Sequence, residues 1–372
     1  MDRITFIYCF RDRELDRVRL SLESLSLQTD MLFKVIFVDY GSEMNLAVKV
    51  QKLVESYPFA SYLYNNTRGM MWNRSHALNS AIRMADSSYV FTADIDMIFK
   101  PGFVKQINEF KRTGDAYFFS AIMLPPNTLP GNENLEKKYE RTTDNALGWG
   151  LIPREKLLEI NSYDEVYCIW GKEDNDIGHR LRLAGVKVNY ISDIWMFHYY
   201  HPPVPNQREV LPEDWFMFLK NYFDDSSHDL KRNEIIEWGK ILKAEDRPAL
   251  ELIEHPVTAF IPVNGRCRYF RYVMEQKFSE LNTGEVLKLI FVDKISETYK
   301  RSKLYRLALI MNKFLKLLHF PYQLATIYES GFEDIYFARN ELMYFLVTRK
   351  TELKDFAYEL SGKTMKVILI KS

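Results

Sequence analysis

Two acidic pairs, about eighty positions apart, carry side chains that could do chemistry together. They are Asp94 with Asp96, and Glu173 with Asp174. Carboxylate oxygens bind Mg²⁺ or Mn²⁺, and these ions usually share their coordination sphere with phosphate oxygens. A carboxylate can also act as a general base towards a hydroxyl group, which is a weak nucleophile by itself. The first pair therefore predicts a site for a metal and a diphosphate, and the second a catalytic base, as sugar transfer from a nucleotide requires.

The first pair follows a segment with the pattern of a buried strand. Tyr89 to Ala93 is a short apolar run, and Asp94 comes directly after it. Ligands of open α/β sheets bind at the carboxyl ends of such strands. Two acids in an Asp-x-Asp pattern are also common in surface turns, but the strand before them and the second acidic pair favour a metal site. The cation would neutralise charge on a departing nucleoside diphosphate.

The second pair lies at a predicted helix start, after Trp170, Gly171 and Lys172. Acids in the first turn of a helix interact favourably with its dipole, so plain capping is one interpretation. Capping does not account for the preceding tryptophan and glycine. A flat indole can stack on the apolar face of a sugar while a neighbouring carboxylate accepts a hydroxyl proton. We therefore predict a carboxylate base within this pair, with Trp170 beside the sugar.

The elements around these residues alternate between strand and helix patterns. Ile4 to Phe10 and Phe33 to Val38 are continuous apolar runs typical of buried parallel strands, and residues at helical spacing follow each run. Further strands are predicted at Ala116 to Met123 and Val186 to Ile191. This alternation predicts an α/β fold built on a βαβ sheet.

The chain is predicted to divide into a catalytic domain, 1–245, and a smaller appendage of unknown role, 246–372. With 372 residues, 47% of them hydrophobic, it can bury a large core and exceeds the usual size of one domain. The pattern weakens in the appendage, which is expected to be α/β or mostly helical. A charged helix is predicted at 229–244, and strands are predicted at 257–263, 286–292 and 366–370.

Composition argues against several partners and compartments. Lysine plus arginine equals aspartate plus glutamate, at 50 each, so no overall field attracts nucleic acid. Cys9, Cys168 and Cys267 have neither the number nor the spacing of a disulfide framework or a zinc site. The sequence shows no signal-peptide pattern and no apolar stretch of about 20 residues, which a membrane-spanning helix needs. A cytoplasmic protein, soluble or peripheral, is expected.

The segment Tyr299 to Phe320 has the pattern of a basic amphipathic helix. Apolar residues recur there at steps of three and four, and lysines and arginines supply the polar side. Such a helix can lie on an anionic membrane, here the inner membrane face. It can equally pack its apolar stripe on the appendage and leave a solvated basic face. The sequence leaves both interpretations open.

Five ordered motifs give residues 3–205 a resemblance to a known family. They are Cys9-Phe10-Arg11-Asp12-Arg13, Trp72-Asn73-Arg74-Ser75-His76-Ala77-Leu78-Asn79, Thr92-Ala93-Asp94-Ile95-Asp96, Gly148-Trp149-Gly150 and Trp170-Gly171-Lys172-Glu173-Asp174. Their order resembles the beta-1,4-galactosyltransferase family and the related bacterial family 2-type inverting transferases. This resemblance implies the GT-A fold, a Rossmann-like mixed sheet flanked by helices. It also implies a UDP-sugar donor, with galactose or N-acetylgalactosamine favoured, Mn²⁺ or Mg²⁺, and a glycan or lipid-linked saccharide acceptor.

The resemblance also implies a set of nucleotide and metal ligands. Those that would hold the nucleotide are Phe10, Arg11, Arg13, Asp39, Arg74 and Asp94. Asp39 would lie near the base and Arg74 by the diphosphate. Asp96 would ligate the metal, and Asp94 would lie near the ribose or a metal-bound water. His198 aligns with a family histidine that completes the metal site, a role that a neutral imidazole can fill.

The remaining implied roles concern the reaction and its acceptor. Asp174 would be the catalytic base, with Glu173 beside it, and the residues that would contact sugar or acceptor are Trp170, Gly171 and Trp149. Lys172 and Asn175 depart from the family pattern, which puts the acceptor's identity in doubt more than the reaction. His201 follows His198 closely and is a rival metal ligand.

Two other function classes remain possible from the sequence. A sugar-phosphate nucleotidyltransferase would also use a strand-end acid and a metal, but it typically begins with a glycine-rich loop, which residues 10–13 lack. A non-catalytic glycan-binding or scaffolding protein could keep the same fold. The loop from Leu124 to Arg141, rich in Pro, Asn and Gly, is predicted to order over the donor.

Overall fold

The chain forms two compact units. The first comprises residues 1–207 and 213–243, and the second comprises 208–212 and 244–372. The structure, a computed structural model, describes residues 3–130, 142, 147–201, 213–234, 236–253, 260–262, 269–292, 303–318, 335–362 and 364–372. The loop predicted to order over the donor lies mostly outside the described residues, as does Cys267.

An eight-stranded mixed sheet forms the centre of the first unit. In chain order the strands are β1 Ile4–Phe10, β2 Phe33–Asp39, β3 Ala60–Tyr64, β4 Tyr89–Ala93, β5 Met97–Ile98, β6 Ala116–Met123, β7 Gly150–Pro153 and β8 Val188–His198. Their spatial order is β3-β2-β1-β4-β7-β6-β8-β5. Strands β1, β2, β3 and β4 are mutually parallel, whereas β7 runs antiparallel to its neighbours β4 and β6.

Helices cover both faces of this sheet. They are α1 Leu15–Ser26, α2 Met44–Glu55, α3 Arg74–Met84, α4 Phe103–Phe110, α5 Arg154–Glu159, α6 Glu173–Leu183 and α7 Glu213–Asp225. One apolar core joins the sheet to α1, α2 and α4, and another joins it to α3, α5 and α6. Because both faces are buried, the central strands are continuously apolar, as predicted. The predicted α/β class, a mixed sheet flanked by helices, is confirmed.

The parallel strands bring several chain segments to one edge of the sheet. Ala93, at the end of β4, lies opposite Tyr8 of β1, and Asp39, at the end of β2, lies opposite Phe10. The residues that follow these strands therefore emerge together. The start of α3 is fixed beside them by the Asn73 side chain, which accepts a 2.9 Å hydrogen bond from the backbone of His76.

The helix predicted at 229–244 is wrong. Apart from a short 3-10 turn at Ala244–Asp246, the described residues of this segment form no helix. Their backbone groups bond instead to side chains of the first unit. Gly239 donates to Glu165 at 2.7 Å, Leu242 donates to Asn65 at 2.9 Å, and the Lys240 carbonyl lies 2.8 Å from the His76 ring. These tertiary bonds replace the intrahelical ones that the charge pattern suggested.

The second unit is a smaller α/β structure. Its sheet, in the order β11-β12-β10-β9, comprises β9 Phe260–Pro262, β10 Val286–Val292, β11 Leu353–Ser361 and β12 Thr364–Lys371. Its helices are α8 Pro248–Ile253, α9 Tyr269–Ser279, α10 Lys303–Leu317 and α11 Ile335–Thr348. The strand predicted at 286–292 has those bounds, while most of the segment 257–263 lies outside the described residues. Within the described chain, every helix is too short or too polar to cross a bilayer.

Candidate active site

Asp96 lies in a cluster with two histidines at the carboxyl end of the sheet. The short strand β5 pairs antiparallel with β8, which places Met97 opposite His198, and the Tyr199 amide donates a 2.8 Å bond to the Asp96 carbonyl. The Nε2 atoms of His198 and His201 lie 3.4 Å from Oδ1 and Oδ2 of Asp96, respectively. Ligand atoms of the three residues lie within 4.8 Å of one another.

The chemistry of this cluster fits a divalent cation. Asp96 is 5% exposed, and its buried Oδ1 accepts no hydrogen bond from the described residues. Burial raises the pKa of Asp96, and Asp94 raises it further, while His198, His201 and Arg17 act in the opposite direction. A cation would compensate the carboxylate for its lost hydration. One carboxylate and two imidazoles form a donor set of the type that binds first-row metal ions.

Arg17 was not found from the sequence. It belongs to the buried face of α1, and its Nη1 lies 3.8 Å from Asp96 Oδ2, while its Nη2 pairs with Glu14 at 2.7 Å. Its position on the cavity wall follows from the way α1 crosses the sheet, and no motif marks it. The guanidinium adds a fixed positive charge next to the Asp96 cluster.

Asp94 has different partners from Asp96. Trp149 donates its indole N–H to Asp94 Oδ2 at 2.8 Å, and the Arg74 Nη2 lies 3.4 Å from Oδ1. In the described residues, the three-residue cluster that could hold a metal includes Asp96 and both histidines but not Asp94. A metal contact of Asp94 therefore remains a prediction, whereas its pairing with Arg74 and Trp149 is observed.

Arg74 joins the two acidic pairs. Its Nη1 lies 3.2 Å from Asp174 Oδ1, and its Nη2 lies 3.4 Å from Asp94 and donates to the Gly148 carbonyl at 3.0 Å. Three motifs that are distant in the sequence, containing Arg74, Asp94 and Asp174, thus meet at one guanidinium. Arg74 also lines the cavity that contains Asp94 and Asp96, and its ion pair with Asp174 connects the second acidic pair to the wall of that cavity.

Burial changes the protonation of the second pair. It raises the pKa of Glu173 to about 7, with a further rise from Asp174 and an opposing effect from Arg74. The pKa of Asp174 is raised by burial as well, while Arg74 lowers it. Asp174 is the more accessible of the two, with a side chain that is 31% exposed, and Glu173 is buried. Asp174 is therefore better placed to contact a substrate, and Glu173 is better placed to influence the pKa of Asp174.

The loop before α6 holds an uncommon backbone. Ile169, Gly171 and Lys172 all have positive φ, at 67°, 106° and 73°. A positive φ is particularly unfavourable for a β-branched residue, and such conformations cluster at functional sites. The Ile169 amide is held by the Trp72 carbonyl at 2.7 Å. As a result Trp170 projects outwards, 51% exposed, with its ring edge-on to Phe216 of α7 at 5.7 Å.

A cavity of about 320 Å³ connects these groups, which is within the range of small-ligand sites. Its wall carries most of the predicted polar residues, together with Cys9, Trp72, Ile95 and Ile169, to which the sequence analysis assigned no role. It is lined by Cys9, Arg11, Arg13, Arg17, Trp72, Arg74, Asp94, Ile95, Asp96, Ile169, Trp170, His198 and His201. The predicted ligand His198 and its rival His201 both lie here, so the structure gives no reason to choose between them.

The other predicted nucleotide ligands have mixed surroundings. The Arg11 guanidinium donates hydrogen bonds to the backbone carbonyls of Tyr40, Met70 and Thr67, at 2.5, 2.9 and 2.6 Å. It therefore fixes the loop around residues 67–70. Arg13 lines the cavity without an ion-pair partner in the described part of the chain. Its charge is available to a phosphate.

Phe10 and Asp39 are buried away from the cavity wall. The Phe10 ring is 1% exposed in the core, and Asp39 is fully buried. The Asp39 carboxylate accepts from the Ser42 amide and the Tyr62 hydroxyl, both at 2.8 Å. Direct nucleotide contacts by these two side chains remain predictions.

Two family models match parts of the first unit. Residues 5–161 match the model described as glycosyl transferase family 2, and residues 132–202 match the one described as the N-terminal domain of galactosyltransferase. The resemblance predicted from the five motifs is confirmed, and so is the enzyme class. Among curated proteins none matches the chain.

Several solved structures are similar to the chain. GalNAc-T7 with UDP, GalNAc and Mn²⁺ is 16% identical over 61% of this chain and 48% of its own, with a TM-score of 0.47. The mannosyltransferase PcManGT from Pyrobaculum calidifontis, in complex with GDP-Man and Mn²⁺, is 16% identical over 62% and 66%, with a TM-score of 0.45. S. aureus TarS is 14% identical over 53% and 60%, with a TM-score of 0.42. The chain spans between about half and two thirds of these chains.

Proposed function

We propose that the first unit transfers a sugar, galactose or N-acetylgalactosamine, from a UDP-sugar to a saccharide hydroxyl with inversion of the anomeric centre. The acceptor would be a glycan or a lipid-linked saccharide. The observation that carries this proposal is the position of Arg74, which bonds to both acidic pairs at the wall of the cavity that holds Asp96, His198 and His201. A nucleotide diphosphate and a reacting hydroxyl can thus be handled side by side.

The residues divide the reaction between them. Asp174 accepts the proton of the acceptor hydroxyl group. At the same time the hydroxyl oxygen forms a bond to the anomeric carbon of the donor sugar, and the bond between that carbon and UDP breaks. In the free protein Arg74 pairs with Asp174 and opposes the rise that burial causes in the pKa of that carboxyl group. Arg13 and Arg74 supply positive charge for the diphosphate, and the exposed Trp170 ring stacks on the sugar.

A divalent cation would be held by Asp96, His198 and His201, with Asp94 near its water or the ribose. When bound, such an ion offsets the negative charge of the leaving diphosphate. The two imidazoles favour Mn²⁺ over Mg²⁺, because Mg²⁺ prefers oxygen ligands. Because Arg17, 3.8 Å from Asp96, offsets part of that carboxylate's charge, the diphosphate would supply further negative charge to the ion.

We place the activity in the cytoplasm. Cys9 and Cys168 are free thiols in the structure, which fits a reducing compartment. The residues that line the cavity all belong to the first unit.

The test is a screen of UDP-sugars with the full chain, in Mn²⁺ and in chelator, with and without glycan acceptors. Metal-dependent release of UDP is the expected product, and transfer to an acceptor would give a glycoside of inverted configuration. Pyrophosphate release would instead support a nucleotidyltransferase. Nucleotide binding without turnover of any donor would support the glycan-binding alternative and overturn the proposal.

A further inference from the structure

Helix α10 of the second unit exposes an unusual amount of apolar surface. Between Lys303 and Leu318, seven large apolar side chains are exposed: Leu307, Leu309, Ile310, Met311, Phe314, Leu317 and Leu318. Ile310 and Phe314 are each 65% exposed, and Leu317 is 80% exposed. Single exposed apolar residues are ordinary, but a contiguous set indicates an interaction surface.

Most of these side chains share one face of the helix. Leu307, Ile310, Met311 and Phe314 follow one another at steps of three, one and three residues, so they form a single stripe. Among the side chains of α10 that the structure describes, the half-buried ones are Ala308, Asn312 and Leu315, which form a different line at steps of four and three. The apolar stripe is therefore not the side through which the helix is partly buried.

The charges of α10 are all of one sign. The helix contains Lys303, Arg306, Lys313 and Lys316 and no acidic residue, and the sequence has none between Glu297 and Glu329. This is a local feature, because the whole chain has a formal net charge of zero. Arg306 and Lys313, seven residues apart, lie along one edge of the stripe, where long basic side chains can reach past an inserted apolar face.

We propose that the α10 stripe binds the surface of an anionic phospholipid bilayer, with the helix lying in the interface. An apolar face bordered by lysine and arginine is the pattern of interfacial helices, which bury the apolar side at the boundary of headgroups and acyl chains. The basic residues bind the lipid phosphates. A second copy of the chain is a poorer occupant, because it would bring two helices with only positive charge together.

The experiment is co-sedimentation of the full chain with vesicles of equimolar phosphatidylcholine and phosphatidylglycerol, and with vesicles of phosphatidylcholine alone. The chain is expected to bind the anionic vesicles, and to bind the neutral ones at least about tenfold more weakly. Binding to the anionic vesicles is expected to weaken as added salt shortens the screening length. The variant Ile310→Asp with Phe314→Asp is expected to lose at least about tenfold in vesicle affinity. Both positions are well exposed, so the fold tolerates these changes.

A matched variant, Leu27→Asp with Met84→Asp, changes two exposed apolar residues of the first unit, 68% and 50% exposed, and adds the same charge. It is expected to bind anionic vesicles like the wild type. UDP release in solution is expected to be unchanged in both variants, so a failed transferase assay leaves this test intact. Equal binding by the Ile310/Phe314 variant, or no wild-type binding to anionic vesicles, overturns the proposal. A wild-type dimer that the variant dissociates, without vesicle binding, would identify a protein interface instead.

Discussion

Asp174 and Asp176 are two residues apart in the first turn of α6, yet their carboxylates have opposite surroundings. Residues at this spacing lie about 200° apart around a helix, so their side chains point in nearly opposite directions. Asp174 is partly exposed and has one cationic partner, Arg74, at 3.2 Å. Asp176 is fully buried between Arg180, at 2.6 Å, and Arg232, at 3.3 Å.

Both carboxylate oxygens of Asp176 accept hydrogen bonds from arginines, Oδ2 from Arg180 at 2.7 Å and Oδ1 from Arg232 at 3.3 Å. Arg180 also donates to the carbonyls of Ile160 and Ser162 at 3.0 and 2.7 Å, and Arg232 lies 3.2 Å from Asp164. By comparison, Asp96 Oδ1 accepts no hydrogen bond from the described residues. The nearest imidazole nitrogens lie 3.4 Å from the Asp96 carboxylate, and the Arg17 guanidinium lies 3.8 Å away. Burial alone therefore does not mark a functional acid. Structural and functional buried acids differ in whether other groups of the protein supply all the hydrogen-bond partners of the carboxylate.

The sharpest test of this difference is Asp174→Asn. Loss of the base is expected to lower transfer by a factor of about 10² to 10⁴, with Mn²⁺-dependent UDP binding nearly unchanged. Rates from UDP release and affinities from calorimetry measure the two effects. Asp16→Asn, at an exposed acid in the first turn of α1, is the matched control. A variant that keeps a tenth of the wild-type rate would remove Asp174 as the base.

The companion change, Asp176→Asn, is expected to act on stability. Removing one partner leaves Arg180 as a buried and poorly compensated charge, which costs about 3–5 kcal/mol of unfolding free energy. Urea denaturation, followed through the unfolding transition of the first unit, measures this loss of unfolding free energy against the same Asp16→Asn control. If stability were unchanged and transfer were lost, the assignment of the two acids would have to be exchanged.

Asp96→Asn tests the third acid in the comparison. Weaker ligation of the cation is expected to lower UDP affinity in Mn²⁺ by at least about tenfold and to leave affinity in chelator unchanged. Calorimetric titration under both conditions provides the two numbers. An Asp96→Asn protein that still binds UDP more tightly with Mn²⁺ than without would count against a metal at this cluster.

The smallest expected effect concerns Glu173 and pH. Its pKa is about 7 in the folded protein and 4.5 in a free side chain, so the folded state holds a proton that the unfolded chain has released. The resulting stability is fully present below pH 4.5 and is lost as pH rises through about 7. Relative to Glu173→Gln, the wild type should therefore lose about 1–3 kcal/mol of unfolding free energy between about pH 5 and about pH 8.

Glu155→Gln, at an exposed acid in the first turn of α5, is the control for that series. It is expected to show the pH dependence of the wild type. A Glu173→Gln protein whose stability changes with pH as the wild type's does would mean that Glu173 is charged throughout, like an ordinary surface acid.

The central strands and the order of the site motifs could be predicted from the sequence because their signals are local. Strands such as β1 and β4 are apolar on both faces, and Asp94 follows β4 directly. β5 could not be predicted, since a strand of two residues has no periodicity. The helix predicted at 229–244 failed because charged residues such as Arg232 turn inwards to partners that are distant in the sequence.

For some residues of the site the position could be predicted from the sequence, and for others it could not. Arg74, Asp174 and Trp170 were identified through motifs. Arg74 and Trp170 line the cavity and Asp174 pairs with Arg74, while their roles remain proposals. Arg17 and Phe216 have no motif, and their positions depend on how α1 and α7 lie in three dimensions. The buried partners of Asp176 could not be predicted either, because a motif shows which residue is present but not the direction in which its side chain points from the helix.

The two-residue pairing of β5 with β8 gives this sheet edge a further property. It is the contact that holds Asp96 next to His198, and it lies at the margin of the sheet, where fraying is easiest. A ligand that binds only the paired edge must stabilise it. The Tyr199 amide, bonded to the Asp96 carbonyl, would therefore exchange its hydrogen more slowly once Mn²⁺ is bound, reporting metal occupancy through the backbone without any substrate.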